Sequence, residues 1–329
     1  MMALARRLLP QLVTFATVLL LIAVVFPGFF DVSFANGRLY GSPIDILNRG
    51  APVALLAIGM TLVIATGGID LSVGAVMAIC GAVAAWAVDQ GHGLPSALAL
   101  SLSAGLACGL WNGMLVALLK IQPIVATLIL MVAGRGIAQL ITEGTILTFN
   151  HPGLIFLGSG TVLGLPTPVL IWLAMGLLVT AIVRRSALGL LIEAVGINQR
   201  ASRLAGVNAK VLIVTVYMTS GLCAAIAGMI VAADIRGADA NNAGLWLELD
   251  AILAVVIGGT SLLGGRFSLV ASLIGAMIIQ SINTGILLSG FPPEFNLVIK
   301  AAIILAILVV QSPAARVALI YLKPWRRDG

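Results

Sequence analysis

Asp70 places a carboxylate within an otherwise apolar stretch, IATGGIDLSVGAVM, at residues 64–77. Gly67 and Gly68 interrupt the apolar run just before it, and a second apolar run begins at Leu71. A carboxylate at a helix start accepts hydrogen bonds from free backbone N–H groups and faces the positive end of the helix dipole. The sequence therefore predicts a break between two helices, with Asp70 as the cap of the second helix.

Other polar side chains within apolar runs are candidates for contact with a polar, uncharged ligand. Arg135 and Gln139 are one helical turn apart, and Gln280 and Asn283 are three residues apart, so each pair shares a helix face. The alternative role for such groups is hydrogen bonding between neighbouring helices. The candidates for ligand contact are Asn112, Arg135, Gln139, Gln280 and Asn283.

The composition indicates an integral membrane protein. Of 329 residues, 60% are hydrophobic and 9% are charged, whereas a soluble domain has about 25% charged and 45–50% apolar residues. The net charge of +6 comes from basic residues that flank apolar runs, which indicates membrane topology and no nucleic-acid partner. The three cysteines form no CxxC pair, and neither a metal site nor a cofactor is expected.

Apolar segments long enough to be membrane helices follow one another along the whole chain. A span needs about 20 apolar residues, with roughly 17–25 tolerated. Ten segments are predicted spans: Leu8–Phe30, Gly50–Thr66, Leu71–Val88, Leu94–Leu119, Ile121–Ile141, Thr167–Val183, Val211–Ala233, Leu249–Leu263, Phe267–Leu288 and Phe295–Ser312. They predict one all-α transmembrane domain over residues 1–329. Asp250 and Lys300 lie near the outer ends of their spans and are expected to extend towards the membrane surface.

The distribution of basic residues orients these spans. With the amino terminus in the cytoplasm, alternation of ten spans places thirteen of the eighteen Lys and Arg residues on the cytoplasmic side. Both termini are then cytoplasmic, and the longest cytoplasmic segment is residues 184–210. Asp70 falls near the inner surface in this arrangement.

Two similar motifs indicate an internal repeat. GGIDLSVG at residues 67–74 and GGTSLLGG at residues 258–265 share the pattern GGxxLxxG, and each falls at the inner end of an outward-to-inward span. Helix interruptions often line transport routes in membrane carriers. The predicted helix breaks and candidate gate are therefore Gly67, Gly68, Asp70, Gly258 and Gly259.

The cytoplasmic segment contains the strongest likeness to a known family. Residues 187–208 read ALGLLIEAVGINQRASRLAGVN, in which Asn198 is expected to cap a short helix that ends at Gly206. This segment resembles the coupling loop of sugar-importing ABC permeases of the ribose, xylose and galactofuranose type. The stretch GMTLVIATGGIDLSVGAVMA resembles the other signature of the same family, and AADIRGADANNAGLWLELDAILAVVIGG resembles its galactofuranose-importing members most.

The resemblance implies a permease of the bacterial inner membrane that imports a monosaccharide, with galactofuranose expected. A separate cytoplasmic ATPase would supply energy, since the chain has no Gly-Lys dipeptide and so no phosphate-binding loop. A periplasmic binding protein would deliver the sugar, and a second, related permease chain would complete a heterodimer, with a homodimer as the alternative. The coupling role carries over onto Glu193, Gly196, Asn198, Ala201, Ala205 and Gly206.

Two other functions are alternatives to galactofuranose import. A pentose permease, for ribose or xylose, would have the same architecture. An ion-coupled sugar symporter would instead use Asp70 or Asp250 to carry a proton. A membrane-embedded enzyme is disfavoured because no catalytic pair can be assembled from the sequence.

The charge asymmetry makes a topological prediction. A reporter fused after Arg185 should score as cytoplasmic, and a reporter fused within residues 239–242 should score as periplasmic, because basic loops remain on the cytoplasmic side. Paired alkaline phosphatase and fluorescent protein fusions at the two positions provide the measurement. Reversed labels at both positions would contradict the orientation.

Overall fold

The computed structural model describes residues 2–35, 37–290 and 293–311. Helices predominate over three two-stranded antiparallel sheets of very short strands. In chain order the elements are α1 Met2–Val25, β1 Ser33–Ala35, β2 Arg38–Tyr40, α2 Ser42–Arg49, α3 Ala51–Ala65, α4 Val73–Asp89, α5 Leu94–Ala117, α6 Pro123–Ile141, β3 Ile146–Thr148, α7 Pro152–Ser159, β4 Thr161–Val162, β5 Leu165–Pro166, α8 Thr167–Arg185, α9 Leu188–Ile197, α10 Gln199–Leu204, α11 Ala209–Ile235, β6 Gly237–Asp239, α12 Leu247–Ile257, α13 Leu269–Leu288 and α14 Pro293–Gln311.

Within the described ranges, six helices are long and apolar enough to cross a membrane: α1, α5, α6, α8, α11 and α13. A seventh candidate is the pair α2 and α3, which meet at a bend of 45°. Each predicted span overlaps a helix, but the first and eighth extend beyond theirs, and α4 and α12 have only 17 and 11 residues. The last predicted span ends at Ser312, which is outside the described residues.

Helix α11 is the centre of the bundle, and glycines bring its neighbours close. Gly105, Gly109 and Gly113 recur every fourth residue along α5 and face α11, where a Cβ at any of them would lie within 2.8 Å of an α11 atom. On α3, a Cβ at Gly59 would lie 2.7 Å from the Cα of Ser220. Small residues in this pattern allow helix backbones to approach closely in membranes.

The segment after α3 turns back towards the middle of the bundle. Ser220 of α11 contacts both Gly59 of α3 and Asp70. At 1.5 Å per residue, Ser220 lies about 17 Å from the first residue of α11, a helix about 40 Å long. Asp70 is therefore well inside the bundle. Five residues of loop after α3 return the chain to the level of Gly59, and the location of Asp70 near the inner membrane surface stays a prediction.

Helix α12 begins beside the first turn of α4. A Cβ at Gly74 would overlap the carbonyl oxygen of Gly244 and lie 2.5 Å from Oε2 of Glu248, at the start of α12. Eleven residues of helix span only about 17 Å. The predicted eighth span, Leu249–Leu263, is thus a short helix that buries Glu248 and Asp250 in its first turn, followed by a segment that is not helical.

Asp250 and Lys300 form a buried ion pair, which corrects the expectation that they extend towards the membrane surface. The Lys300 ammonium lies 2.6 and 2.7 Å from the two carboxylate oxygens of Asp250, and both side chains are mostly buried. The pair joins α12 to α14. Pairing is the common solution for charges at this depth, because an unpaired charge is costly to desolvate.

Candidate functional site

Both predicted helix breaks begin with the same backbone geometry. After α3, Gly67 has φ +81°, and the N–H groups of Gly67 and Gly68 donate to the carbonyls of Ile64 and Val63. After α12, Gly259 has φ +84°, and the N–H groups of Gly259 and Thr260 donate to Val256 and Val255 in the same way. This is the Schellman arrangement, in which a left-handed glycine ends a helix.

An alignment of the two breaks by their backbone geometry differs by one residue from the alignment by sequence motif. The motif aligns Gly67 with Gly258, whereas the left-handed position is Gly67 in one break and Gly259 in the other. In the structural alignment, Leu262 therefore occupies the position of Asp70. The second break is also longer, because α13 begins ten residues after Gly259 and α4 begins six residues after Gly67.

Asp70 is the centre of a buried hydrogen-bond network. Its Oδ1 accepts hydrogen bonds from the backbone N–H of Ser72 at 3.1 Å and the hydroxyl of Ser72 at 2.6 Å. Its Oδ2 accepts one from the hydroxyl of Ser220 on α11 at 2.9 Å. The Asn112 side chain on α5 donates to the Ser72 hydroxyl at 2.8 Å. Three elements are thereby tied together by side chains that are at most 2% exposed.

The role of Asp70 differs from the predicted helix cap in one detail. Helix α4 begins at Val73, so the residue that precedes it is Ser72 and not Asp70. The carboxylate accepts from the N–H two residues further on, which is an Asx turn and not an N-cap. As the prediction expected, the Asp70 carboxylate nevertheless satisfies a backbone N–H that the helix break leaves free.

Thr127 of α6 contacts two further backbone groups of this segment. Its hydroxyl accepts from the N–H of Leu71 at 3.1 Å and lies 3.2 Å from the carbonyl oxygen of Ile69. The side chain is fully buried. Backbone groups in the interior of a membrane protein must find partners within the protein or in water. Here α6 supplies one through Thr127, while Asn112 of α5 and Ser220 of α11 hydrogen-bond to the side chains of Ser72 and Asp70.

A backbone junction joins the two breaks to the loop between α8 and α11. The N–H of Gly265 donates to the carbonyl of Ala65 at 2.9 Å, which links the second break to the end of α3. Gly196 of α9 lies against both groups, since a Cβ there would overlap the Ala65 carbonyl oxygen and lie 2.7 Å from the Gly265 nitrogen. Only glycine fits at this position without a displacement.

The predicted short helix of the same loop is present as α10. Asn198 caps it, with its side chain accepting from the N–H of Ala201 at 3.0 Å, and Gly206 follows it with φ +88°. Ala201 and Ala205 are both exposed on this helix. Glu193 lies one turn before Gly196 on α9 and is partly buried. The loop therefore presents a small, exposed helix, α10, and packs its preceding helix against the two breaks.

Arg135 and Gln139 of α6 hold a neighbouring loop through hydrogen bonds. The Arg135 guanidinium donates to the carbonyls of Ala240 and Ala243 at 3.0 and 2.6 Å, and the Gln139 amide donates to Asn241 at 2.7 Å. Both residues are on α6, as the predicted shared face requires. Their bonds fix the segment between β6 and α12. Gln139 remains exposed while making its bond.

Asp239 shapes the turn that enters this segment. Its carboxylate accepts from the Asn242 side chain at 2.7 Å and from the backbone N–H groups of Asn241 and Asn242. These hydrogen bonds, that of the Asn242 side chain above all, hold the pKa of Asp239 below its ordinary value. The carboxylate is therefore ionised at neutral pH.

The five residues predicted to contact a ligand do not converge on one place. Asn112 belongs to the Asp70 network, whereas Arg135 and Gln139 hold the loop between β6 and α12. On α13, Gln280 packs beside Gly50 at the bend between α2 and α3, and Asn283 interacts with the Asp250 carboxylate. Among the described residues, no three His, Cys, Asp or Glu side chains are grouped as a metal site would require.

Sequence reasoning did not identify Ser72, Ser220 and Thr127 as partners of the break. Ser220 and Thr127 each interrupt an apolar run, which is a weak signal that hydroxyls produce in many membrane helices, where they also bond to their own backbone. Their role depends on which helices are neighbours. For Gly196, the resemblance of the loop indicated a coupling role but not the contact with Ala65 and Gly265.

Comparison with known proteins identifies relatives over almost the whole chain. The family model described as "Branched-chain amino acid transport system / permease component" matches residues 42–308. The galactofuranose transporter permease protein YtfT of Escherichia coli (strain K12) is 66% identical over 304 residues, covering 92% of this chain and 89% of that protein.

Two further relatives share the length of the chain. The fructose import permease protein FruF of Bifidobacterium longum (strain NCC 2705) is 41% identical over 94% of this chain and 90% of its own length. The ribose import permease protein RbsC of Escherichia coli (strain K12) is 37% identical over 92% of both chains.

The Asp70 network predicts a difference between two substitutions. Asp70→Asn should be tolerated, because the amide oxygen can accept from Ser72 and the serine hydroxyl on α11 can rotate to accept from the new amide group. Asp70→Leu should reduce stability by about 2–4 kcal/mol, since it leaves several buried donors without partners. The measurement is the thermal unfolding of purified protein in detergent, together with membrane yield.

Asp45→Leu is the matched control, since Asp45 is on the short helix α2 and makes no contact with the network. If Asp70→Asn were as destabilising as Asp70→Leu, the negative charge and not the hydrogen bonds would be what the fold requires.

Proposed function

This chain belongs to the branched-chain amino acid transport system permease component family, and we propose that it is the membrane-spanning subunit of an ABC importer for galactofuranose in a bacterial inner membrane. The observation that carries this proposal is the 66% identity, over 92% of the chain, to a galactofuranose transporter permease. The relatives named for fructose and ribose are much less similar, at 41% and 37% identity. A pentose remains the second candidate substrate.

The importer is proposed to use energy from a separate ATPase chain. The sequence has no Gly-Lys dipeptide and so cannot form the loop that binds nucleotide phosphates. A cytoplasmic ATPase and a periplasmic sugar-binding protein are therefore proposed partners. A second, related permease chain is proposed to complete the membrane pore, with a second copy of this chain as the alternative.

The proposed topology has ten membrane-embedded helices with both termini in the cytoplasm. It is supported by the basic residues of the segment between α8 and α11 and by the overlap of each predicted span with a helix. The short helices α4 and α12 are included as embedded helices that begin within the bundle. The sugar is proposed to pass beside the helix breaks at Gly67, Gly68, Asp70, Gly258 and Gly259.

The segment of residues 184–210 is proposed to couple the ATPase to the membrane helices. Its exposed helix α10, with the small residues Ala201 and Ala205, would dock into the ATPase. Helix α9 would then transmit the motion, because Gly196 touches the end of α3 and the second break at the same time. Asn198 would hold the turn between these two contacts, while Glu193 on α9 and Gly206 after α10 would flank them.

This coupling scheme predicts two different defects within one loop. Ala205→Glu should abolish ATPase binding, because a charged side chain replaces a small docking residue. Gly196→Ala should leave ATPase binding intact but reduce sugar uptake at least about tenfold, since the new methyl group separates α9 from the Ala65 carbonyl. The measurements are ATPase co-purification and ATP hydrolysis in nanodiscs, with uptake in cells.

Two control variants make these outcomes specific. Ala205→Ser preserves a small neutral side chain at the docking position and should bind and transport normally. Gly136→Ala adds the same methyl group to a helical glycine of α6, where no atom lies within 4 Å of the new Cβ, and it should bind and transport normally. Normal binding and stimulated hydrolysis in Ala205→Glu would refute the docking role.

The substrate assignment predicts the outcome of an uptake competition. A strain without its own importers for these sugars, which expresses this chain with its ATPase and binding protein, should accumulate labelled galactofuranose. Unlabelled ribose, xylose and fructose should compete weakly. Saturable ribose uptake without galactofuranose uptake would favour the pentose alternative.

The same cells distinguish an ATP-driven importer from an ion-coupled symporter. Uptake should stop when the ATPase is deleted and should persist, over short times, with a protonophore. The reverse pattern would establish proton coupling and would direct attention to the carboxylates of Asp70 and Asp250.

A further inference from the structure

A basic cavity lies between the coupling segment and the first helix break. Its volume is about 430 Å³, and it is walled by residues from the end of α3, the end of α5, the start of α6, α10 and the first part of α11. All these helix ends belong to the side that carries the excess of Lys and Arg. The cavity is therefore on the cytoplasmic side of the proposed topology.

The charges of the cavity are of one sign. Lys120, Arg200 and Arg203 line it, and none of the lining residues is acidic. All three cations are exposed, and no ion pair is formed by any of them within the described residues. Like charges that converge on a concave surface repel one another and concentrate a counter-ion there. The arrangement favours an anionic ligand.

The inner wall of the cavity contains a buried hydroxyl that lacks a partner. Tyr217 lines the cavity, its side chain is fully buried, and its hydroxyl makes no hydrogen bond within the part of the chain that the structure describes. The hydroxyl lies next to the first helix break, because a Cβ at Gly68 would be 2.7 Å from it. Buried polar groups are nearly always paired, so this donor is available to a ligand.

The amino terminus of α6 adds a further favourable feature. Gln122 and Pro123 line the cavity, and the side chain of Gln122 accepts no hydrogen bond from the free N–H groups that follow it. The positive end of a helix with free N–H groups stabilises a bound anion. This feature is independent of both the basic side chains and the tyrosine.

We propose that this cavity binds a phosphate group, supplied by an anionic lipid headgroup of the cytoplasmic leaflet or by a soluble phosphate. Two guanidinium groups, an ammonium, a phenolic hydroxyl and a helix terminus offer more donors than one carboxylate can accept. Basic cavities between membrane helices on the cytoplasmic side are suited to phosphate-bearing headgroups.

A phosphate in this position would connect three parts of the molecule. Arg200 and Arg203 belong to α10, Lys120 to the turn before α6, and Tyr217 to α11 beneath the first break. The bound group would therefore hold the exposed helix of the coupling segment against the bundle. This site does not depend on which sugar the protein carries.

The test uses the purified full-length chain and two phosphate sources. In neutral detergent, inorganic phosphate is titrated against chloride at constant ionic strength, and the thermal unfolding midpoint is recorded. In nanodiscs, phosphatidylglycerol is compared with phosphatidylcholine by the same measurement and by retention of lipid in native mass spectrometry. Wild type should be stabilised by at least one of the two sources.

The variants identify the cavity as the binding site. Arg203→Gln and Lys120→Gln should each weaken the response about tenfold, and Tyr217→Phe should weaken it while preserving the side-chain volume. Arg185→Gln removes a basic residue at the end of α8 that does not line the cavity, and it should respond like wild type.

The two phosphate sources are distinguished by which of them raises the thermal unfolding midpoint of the wild-type protein. Stabilisation by phosphatidylglycerol alone identifies a lipid headgroup, and stabilisation by inorganic phosphate in neutral detergent identifies a soluble ligand. The proposal is overturned if neither probe stabilises wild type, or if Arg203→Gln, Lys120→Gln and Tyr217→Phe respond like Arg185→Gln. In that case the basic residues would serve a protein partner.

Discussion

The helix break after α3 releases backbone groups within the bundle, and their need for partners constrains much of the structure. An unsatisfied amide or carbonyl in a membrane interior costs several kcal/mol. Asp70 and Thr127 meet this need from two sides, and Ser72 and Ser220 complete the hydrogen bonds of the carboxylate. The break can exist at this depth only because α5, α6 and α11 surround it.

Those hydrogen bonds in turn require close helix packing. A serine hydroxyl reaches only a short distance from its backbone, so α11 must approach the break closely for Ser220 to meet Asp70. Gly59 permits this, because any side chain there would collide with the Cα of Ser220. Gly109 brings α5 equally near on another side of α11. The abundance of glycine in apolar helices is thus a condition of the polar network as well as of packing.

The sequence predicted the elements well but not their partners. Local signals sufficed for the cap at Asn198 and for the glycines that end α3 and α12, because these interactions involve residues a few positions apart. The contact of Asp70 with Ser220 was not predicted, since hydropathy measures the length of an apolar run and not whether the chain turns back after it. Asp250 was predicted to extend towards the membrane surface. Its pairing with Lys300 was not predicted, since the two residues are fifty positions apart in the chain.

The two breaks differ in how firmly they are held, although their backbones begin alike. The first is buried and bound by a carboxylate with three hydrogen bonds, and the corresponding position of the second is Leu262, which can form none of them. Leu262 and Leu263 are exposed, and the second segment is four residues longer. Few buried contacts and exposed backbone lower the free energy of local rearrangement. Gly196 contacts the end of α3 at Ala65 and the second break at Gly265. A displacement of α9 would therefore act on a firmly held segment at Ala65 and on a more deformable segment at Gly265. In the proposed importer, movement of the coupling segment would therefore be taken up mainly by the segment between α12 and α13, while the network around Asp70 keeps the opposing helices in place.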